Sequence, residues 1–269
     1  MRVEELTPLG ARVSGLDLAE GGTLDDESIS RLRELLGEHG VLAIPGQSLD
    51  DAQFTVFLRR FGDLTFTQGE TPVPGHQDLN VISNVGRTSP PRSSFHVDTS
   101  YVSKPPSYTA LRAVAIPEQG GQTLFTDQYR AYETLPEGVR EQLAGRTITH
   151  VVTGVDVEAD DEKSAEHPIF RAHPVTGRTS LFLTTPARCA SISGMAQDEA
   201  ADSIAFLYEH STRSENTYRH QWAAGDVVIW DNGCVLHCAD HSGVVGDRIM
   251  HRGMVSSSGY DSDVAPVAS

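Results

Sequence analysis

Apolar positions recur with a helical period at two places early in the chain and with strand-like spacing through most of the rest. In LDDESISRLRELLGEHG, Ile29, Leu32, Leu35 and Leu36 fall on one face of a helix, with Gly37 and Gly40 as stop signals. VLAIPG, Val41 to Gly46, is the continuous apolar run of a buried strand. A second helix is expected from Asp50, with Phe54, Phe57, Leu58 and Phe61 on its apolar side. Residues 65–95 are rich in Gly, Pro, Thr and Ser and read as a long loop, broken only by the short strand LNVIS. Loops of that length are usually functional or disordered. Beyond it, YTALRAVAI, TLFTD, TITHVV, SLFLT, DVVIWD and RIMHRGMV are strand candidates, most of them separated by turn residues. A helix from Asp198 to His210 interrupts the series. Many short strands with few helices between them predict an antiparallel barrel or sandwich, not a doubly wound sheet.

Composition narrows this picture. At 269 residues the chain can bury a substantial core and is expected to form one domain, 1–269, with a small polar tail from about Ser256 that frays. The formal charge of -16 makes a phosphate backbone an unfavourable partner, so no nucleic acid is expected. It does not forbid a basic pocket. Three cysteines, Cys189, Cys234 and Cys238, give no disulfide framework and suit a reducing compartment. MRVEELTPLG lacks a secretory signal, and no apolar run is long enough for a membrane span. These features predict a soluble, cytoplasmic protein.

The candidate chemistry begins at His96-Val97-Asp98. Residues i and i+2 of a strand point to one face, so this His and this carboxylate can grip one metal ion from one side. A remote second His would complete a 2-His-1-carboxylate triad, which leaves coordination positions open. By itself the pair carries little weight. With 11 His and 37 acidic residues, chance yields about 1.5 such matches. A second match, His76-Gln77-Asp78, lies in the Pro/Gly-rich stretch and reads as a surface accident, since a flexible loop is a poor place to preorganise a metal. His237, in DVVIWDNGCVLHCADHS, follows an apolar strand and is the candidate distal ligand. The same stretch allows a structural zinc on Cys234, His237, Cys238 and His241, although these ligands crowd into eight residues without the usual long loop between pairs.

Taken together, the motifs resemble the taurine dioxygenase/TfdA-like family of Fe(II)/2-oxoglutarate dioxygenases. The resemblance runs over nearly the whole chain. It includes LGARVSGLDLAE, EHGVLAIPGQSLDDAQFTVFLRRFGDL, FHVDTSYVSKPPSYTALRAVAIPEQGGQTLFTD, HPIFRAHPVTGRTSLFL, GDVVIWDNGCVLHCAD and DRIMHRGMV. It implies a mainly β fold with flanking helices, built on a double-stranded β-helix (jelly-roll) core. It also implies His96, Asp98 and His237 as Fe(II) ligands, with 2-oxoglutarate and O2 as cosubstrates. Arg248 matches the arginine that binds the distal carboxylate of 2-oxoglutarate, and Thr123 the threonine that supports it. A guanidinium is suited to the first task because its planar fork meets both carboxylate oxygens and stays charged. Asp98 implies hydroxylation, desaturation or another oxidative outcome, because related halogenases lack that carboxylate. A homo-oligomer is a further implication of the family. The non-catalytic alternatives are a barrel of the same fold without iron and the zinc-bearing interaction domain.

Arg252 matches a second family arginine, commonly linked to an anionic substrate group. Arg248, Met250 and Arg252 would share one strand face, so both arginines can look into the barrel. Aligning the loop after Phe61-Gly62-Asp63-Leu64 puts Thr67 and Glu70 where sulfonate-using members carry a histidine and a tyrosine. Arg92 stands where they carry an asparagine. A carboxylate at Glu70 would repel a sulfonate, so taurine is not the expected substrate. Arg252 with Glu70 and Arg92 suits a small anionic or zwitterionic substrate such as an amino acid.

Overall fold

The computed structural model describes residues 1–20, 24–67, 69–86, 94–154 and 161–256. Arg92 and the expected tail beyond Ser256 lie outside them. β1 (Arg2–Glu5) and β2 (Ala11–Ser14) precede α1 (Asp26–His39), β3 (Val41–Ile44) and α2 (Asp51–Arg59). Then come β4 (Leu64–Thr65), β5 (Pro72–Val73), β6 (His76–Ser83), β7 (Tyr108–Ala115) and β8 (Thr123–Asp127). The middle of the chain forms α3 (Gln128–Glu133), α4 (Glu137–Leu143), β9 (Thr147–Val151), β10 (Ser164–Pro168), β11 (Phe170–Ala172), β12 (Thr179–Leu181) and β13 (Cys189–Ile192). The last elements are α5 (Gln197–Ser211), β14 (Thr217–His220), β15 (Val227–Asp231), β16 (Val235–Ala239) and β17 (Ile249–Val255).

Two sheets face each other. The large one runs β1-β2-β3-β15-β7-β17-β6-β5, with β4 also on β17, and the small one runs β14-β8-β16. Pairing is antiparallel except between β2 and β3. Because side chains alternate across a strand, each strand of the large sheet serves two cores. Val41, Ala43, Leu111, Val228, Trp230 and Met250 point inward and pack with Phe125 and Val235 of the small sheet. Leu42, Ile44, Tyr108, Ala110, Val227 and Ile229 point outward under α1 and α2. This double coverage explains why VVIWD of β15 is buried at every position and reads as an unbroken apolar run. The mainly β core with flanking helices is the jelly-roll arrangement the sequence implies.

The helices follow their local signals. Asp25 caps α1 by accepting from Ser28 N, and Asp50 and Gln53 form a reciprocal capping box on α2. Phe54, Phe57 and Leu58 of α2 are buried, as their spacing predicts. Gly40, at φ 72°, ends α1, but Gly37 does not. Gly37 is a packing position instead. A Cβ there would come within 2.9 Å of His173 Cε1.

Residues 65–95 are not one long loop. β5 and β6 occupy 72–83, and β6 pairs with β17 in register Arg252↔Asn80. The pattern fails there because Gly and Pro flank the strands, and because β6 buries the polar Asn80 against Arg252. The short helices α3 and α4 also lack a readable apolar stripe. α5, at Gln197–Ser211, matches its expectation closely. No helix among the described residues is long and apolar enough to cross a membrane.

A third sheet, β10-β9-β13, carries two buried histidines, His150 and His167, whose rings lie 5.2 Å apart against Phe182. Burial pushes His150 down to about 3, and burial likewise pushes His167 down to about 4. Both are therefore neutral in the folded protein at neutral pH. In the unfolded chain they take up protons below about pH 6.5. Folding then carries no penalty above pH 6.5, and a growing one as the pH falls, levelling off at the folded values. We expect the urea midpoint to drop as pH is lowered from 6 to 4, with His150 contributing about 1.4 kcal/mol per pH unit. His150→Phe should flatten that slope, and an unchanged slope would show that acid acts elsewhere.

Candidate metal centre

β16 lies at the edge of the small sheet. His96 closes on it through a two-residue antiparallel bridge, with His96 N to His237 O and His237 N to His96 O both 3.0 Å. The bridge sets the two imidazoles side by side, ring centroids 4.3 Å apart. His237 shares the inward face of β16 with Val235, and Trp230 packs on it at 4.5 Å. The chain turns immediately after Val97. His96 and Asp98 therefore do not lie along a regular strand, and the i, i+2 relation is held by bridge plus turn. Thr99 completes the turn at φ 49°, and its hydroxyl lies 3.1 Å from that of Thr67.

Asp98 Oδ1 stands 3.7 Å from His96 Nε2, and Asp98 Oδ2 stands 3.6 Å from His237 Nε2. These gaps are too long for hydrogen bonds. They approach the spacing of about 3 Å for ligands that meet at right angles on an ion about 2.1 Å from each. The donor set fits the ion. His96 Nδ1 lies 2.8 Å from Ser94 O, which fixes the Nδ1–H tautomer and turns the Nε2 lone pair inward. Burial pushes His237 down to about 3 against the pull of Asp98, and burial also lowers His96, so both rings are neutral at pH 7, the form a metal requires. Burial alone would raise the Asp98 carboxyl. Arg252, followed by the two imidazoles, outweighs it and holds the group well below the usual carboxylate range.

A directed relay orients Asp98. Trp230 Nε1 donates to Asn232 Oδ1 (3.1 Å), Asn232 Nδ2 to Thr109 Oγ1 (2.9 Å), and Thr109 Oγ1 to Asp98 Oδ2 (2.9 Å). On the other side Arg252 NH1 donates to Asp98 Oδ1 at 2.9 Å. Arg252 Nε donates to Asn80 Oδ1 at 3.1 Å, and its NH2 donates to Glu70. Glu70 also accepts from Asn80 Nδ2. All three Arg252 nitrogens are thus engaged, two of them by carboxylates.

Arg248 faces the same interior but is compensated differently. It is essentially fully buried and pairs with no acid among the described residues. Its Nε donates to Gly121 O (2.8 Å) and its NH2 to Thr123 Oγ1 (3.2 Å). Gly121 permits that approach. Its φ is 74°, and a Cβ there would meet Arg248 Cδ at 3.0 Å. Burial without a counter-charge lowers Arg248 to about 10. Trp222 Nε1 also donates to Thr123 Oγ1 (3.0 Å). With both lone pairs of Thr123 taken, its own O–H is left to donate. A buried cation without a counter-ion beside a free hydroxyl donor is the chemistry of a carboxylate-binding pocket.

The structure thus brings together His96, Asp98, His237 and, around them, Arg248, Thr123, Arg252 and Glu70. His76-Gln77-Asp78 lies at the start of β6 and not in a loop, and Asp78 pairs with Arg59 at 2.6 Å. Among the described residues it joins no metal-like grouping. The four-ligand zinc arrangement does not form. Cys234 groups with His173 and Asp231 in a second buried cluster, and Cys238 points to the face of β16 opposite His237. In that second cluster His173 Nε2 lies 3.1 Å from Asp231 Oδ2, and Val175 N and Thr176 N reach His173 Nδ1. Burial pushes the Cys234 thiol far up, which keeps it protonated. The cluster is a hydrogen-bonded core without a thiolate. Asn80, Thr109 and Asn232 were not legible as site residues. Nothing in their local spacing distinguishes them from ordinary strand and turn polar groups.

Comparison with known proteins gives one answer throughout. Residues 2–254 match the family described as Taurine catabolism dioxygenase TauD, TfdA family. The chain is 31% identical over 260 residues to an alpha-ketoglutarate-dependent 2,4-dichlorophenoxyacetate dioxygenase of Cupriavidus pinatubonensis, covering 86% of this chain and 89% of that one. It is 29% identical over 272 residues to a (S)-phenoxypropionate/alpha-ketoglutarate-dioxygenase of Delftia acidovorans, covering 88% and 89%. A crystal structure of a taurine dioxygenase from Burkholderia xenovorans superposes with a TM-score of 0.83 at 31% identity, covering 95% of this chain and 89% of that one.

His96→Ala, Asp98→Asn and His237→Ala should each abolish Fe(II) binding in an anaerobic titration while the circular dichroism spectrum is retained. His76→Ala and the double change Cys234→Ser/Cys238→Ser should bind iron as the parent does. Parental affinity in any of the first three would remove that residue from the ligand set.

Proposed function

The chain belongs to the taurine catabolism dioxygenase TauD/TfdA family, and we propose that His96, Asp98 and His237 hold its Fe(II) while Arg248 and Thr123 bind the distal carboxylate of its 2-oxoglutarate. The protein is a 2-oxoglutarate-dependent dioxygenase, an oxidoreductase of small molecules. When bound, Fe(II) with O2 and 2-oxoglutarate supplies the oxidant for a substrate C–H bond, and 2-oxoglutarate leaves as succinate and CO2. The observation that carries the site assignment is the pairing of an open, neutral-imidazole triad with the uncompensated guanidinium of Arg248.

The side chains divide the work. The Trp230–Asn232–Thr109 relay and Arg252 fix both oxygens of Asp98, so that the carboxylate presents its remaining lone pairs to the ion. Arg248 draws one end of the cosubstrate to the Thr123 side of the cavity, where the walls exclude water and strengthen the ion pair. His96, with 28% of its side chain exposed against 8% for His237 and 5% for Asp98, marks the open side from which substrate arrives. Glu70 and Arg252 stand as a charge pair at that side. The relatives named above act on anionic compounds by their descriptions, and these two residues support a small anionic or zwitterionic substrate here. We further read 1–269 as one catalytic domain working in the cytoplasm, without nucleic acid or membrane as partner, and compatible with a homo-oligomer.

The test is Fe(II)-dependent succinate formation from 2-oxoglutarate. Arg248→Leu should raise the KM for 2-oxoglutarate by roughly 30-fold or more, since removing one partner of a buried charged hydrogen bond costs about 2–5 kcal/mol. An unchanged KM would withdraw the role from Arg248. Taurine should give no coupled turnover, because Glu70 already occupies the guanidinium a sulfonate would need. Efficient sulfite release from taurine would show that reading of Glu70 to be wrong.

A further inference from the structure

We propose that Asn84 is a positioning residue for the cosubstrate: it clasps the main chain of Arg248 and thereby sets where that guanidinium stands beside Thr123. The inference deepens the 2-oxoglutarate reading of Arg248 and rests on it.

Arg248 needs such a clasp because the strand ladder does not hold it. β17 begins at Ile249, and its register on β7 shifts between Ile249 and Met250. Ahead of it, residues 240–247 form no helix or strand and contain only an isolated bridge from Val245 to Gln119. A guanidinium meets a carboxylate in plane, so its reach and angle depend on where its own main chain is fixed.

Asn84 supplies the hold. It stands just past β6, opposite Arg248 in the continuation of the register Ile249↔Ser83. Asn84 N donates to Arg248 O at 3.2 Å. A regular antiparallel pair would return the second bond from Arg248 N to the main-chain carbonyl of Asn84. Here the side chain takes it, and Arg248 N donates to Asn84 Oδ1 at 2.7 Å. The other end of the same amide, Nδ2, donates to Gly246 O at 3.0 Å. The orientation of the amide follows from its partners, an N–H on one side and a carbonyl on the other. One side chain thus spans the turn from Gly246 to Arg248.

The opposite side of that turn is tied to the segment that receives the guanidinium. Glu118 N donates to Val245 O (2.9 Å), and Val245 N donates to Gln119 O (3.0 Å). A little further along, Gly121 O accepts from Arg248 Nε, and Thr123 Oγ1 accepts from its NH2. Arg248 is therefore held between two anchors, Asn84 at its main chain and residues 121–123 at its side chain. Gly121 leaves little slack, since even a Cβ there would lie 3.0 Å from Arg248 Cδ. An asparagine four positions earlier does a related task, where Asn80 Oδ1 accepts from Arg252 Nε. The two asparagines divide the two arginines: Asn80 serves the one beside Asp98, and Asn84 the one that faces the cosubstrate. Among the described residues the hydrogen bonds of Asn84 go to Arg248 and Gly246, and none goes to the triad.

The experiment uses the full chain loaded anaerobically with Fe(II) and reads 2-oxoglutarate binding by calorimetry. Asn84→Ala should weaken 2-oxoglutarate binding by roughly tenfold or more, because a small displacement of a positioning group is costly in a site of fixed geometry. Asn84→Ser keeps an acceptor one bond nearer the main chain and should recover part of that loss. Fe(II) affinity measured without 2-oxoglutarate should match the parent in both variants. The deciding comparison is with Arg248→Leu. Once the guanidinium is gone, adding Asn84→Ala should cost no further 2-oxoglutarate affinity, as expected of two residues that act through one contact. Parental 2-oxoglutarate affinity in Asn84→Ala overturns the inference, and so does a second loss of full size in the double variant. An equal loss of Fe(II) affinity also overturns it, since a general loosening of the fold would produce that result. If circular dichroism shows that Asn84→Ala does not fold, Asn84→Ser and its double variant with Arg248→Leu carry the same comparison. Parental 2-oxoglutarate affinity in Arg248→Leu would instead withdraw the cosubstrate role from Arg248, and the inference with it.

Discussion

A single buried carboxylate constrains the rest of this molecule. Asp98 must be ionised to bind a cation, and burial works against ionisation. The protein answers with Arg252 on one oxygen and the hydroxyl of Thr109 on the other. Each partner is in turn held by a neighbour, Arg252 by Asn80 and Glu70, Thr109 by Asn232 and Trp230. Asn80, Thr109, Trp230 and Arg252 come from β6, β7, β15 and β17 of the large sheet, so the carboxylate is tied to four of its strands. Removing one member of such a buried pair typically costs about 3–5 kcal/mol, because the other is left without compensation.

Arg252 of β17 and Arg248, the residue just before that strand, show how position, not residue type, sets a charge's surroundings. Both are buried, although Arg248 lies outside β17 and a register shift falls between Ile249 and Met250. Arg252 has two carboxylates beside it, and they push its pKa up against the effect of burial. Arg248 has only a carbonyl and a hydroxyl, and burial pulls it down. The first is a closed circuit that holds Asp98 ionised, and the second is left without a counter-charge among the described residues.

The fold serves this arrangement through its two-layer architecture. The small sheet carries His237 and Thr123, the large sheet carries Thr109 and Arg252 with Arg248 just ahead of β17, and Trp230, Phe125 and His237 pack between them. His96 reaches the centre by pairing with β16 itself. The hydrogen bonds of that bridge fix the spacing of the two imidazoles before any ion is bound, which is preorganisation by the main chain.

The amino-acid sequence by itself determined the reaction class and the general architecture, and it offered the triad and the cosubstrate arginine as candidates. Those depend on residue identity at fixed spacings and on alternating apolar strands, both of which are properties of the chain read locally. It also located α1, α2, β3, β15 and α5, where periodicity and caps agree. It misjudged 65–95, where Gly and Pro suggested a loop but β6 pairs with β17 and buries Asn80 against Arg252. It took Gly37 for a helix stop, when the residue is small because His173 crosses there. Only the tertiary structure decided which His-x-Asp pair meets a second histidine, since that depends on β16 lying against His96. It alone showed that Glu70 neutralises Arg252 and that Thr109 and Asn232 orient Asp98. Charge compensation is set by distance in space, and residues more than a hundred positions apart in the chain supply it.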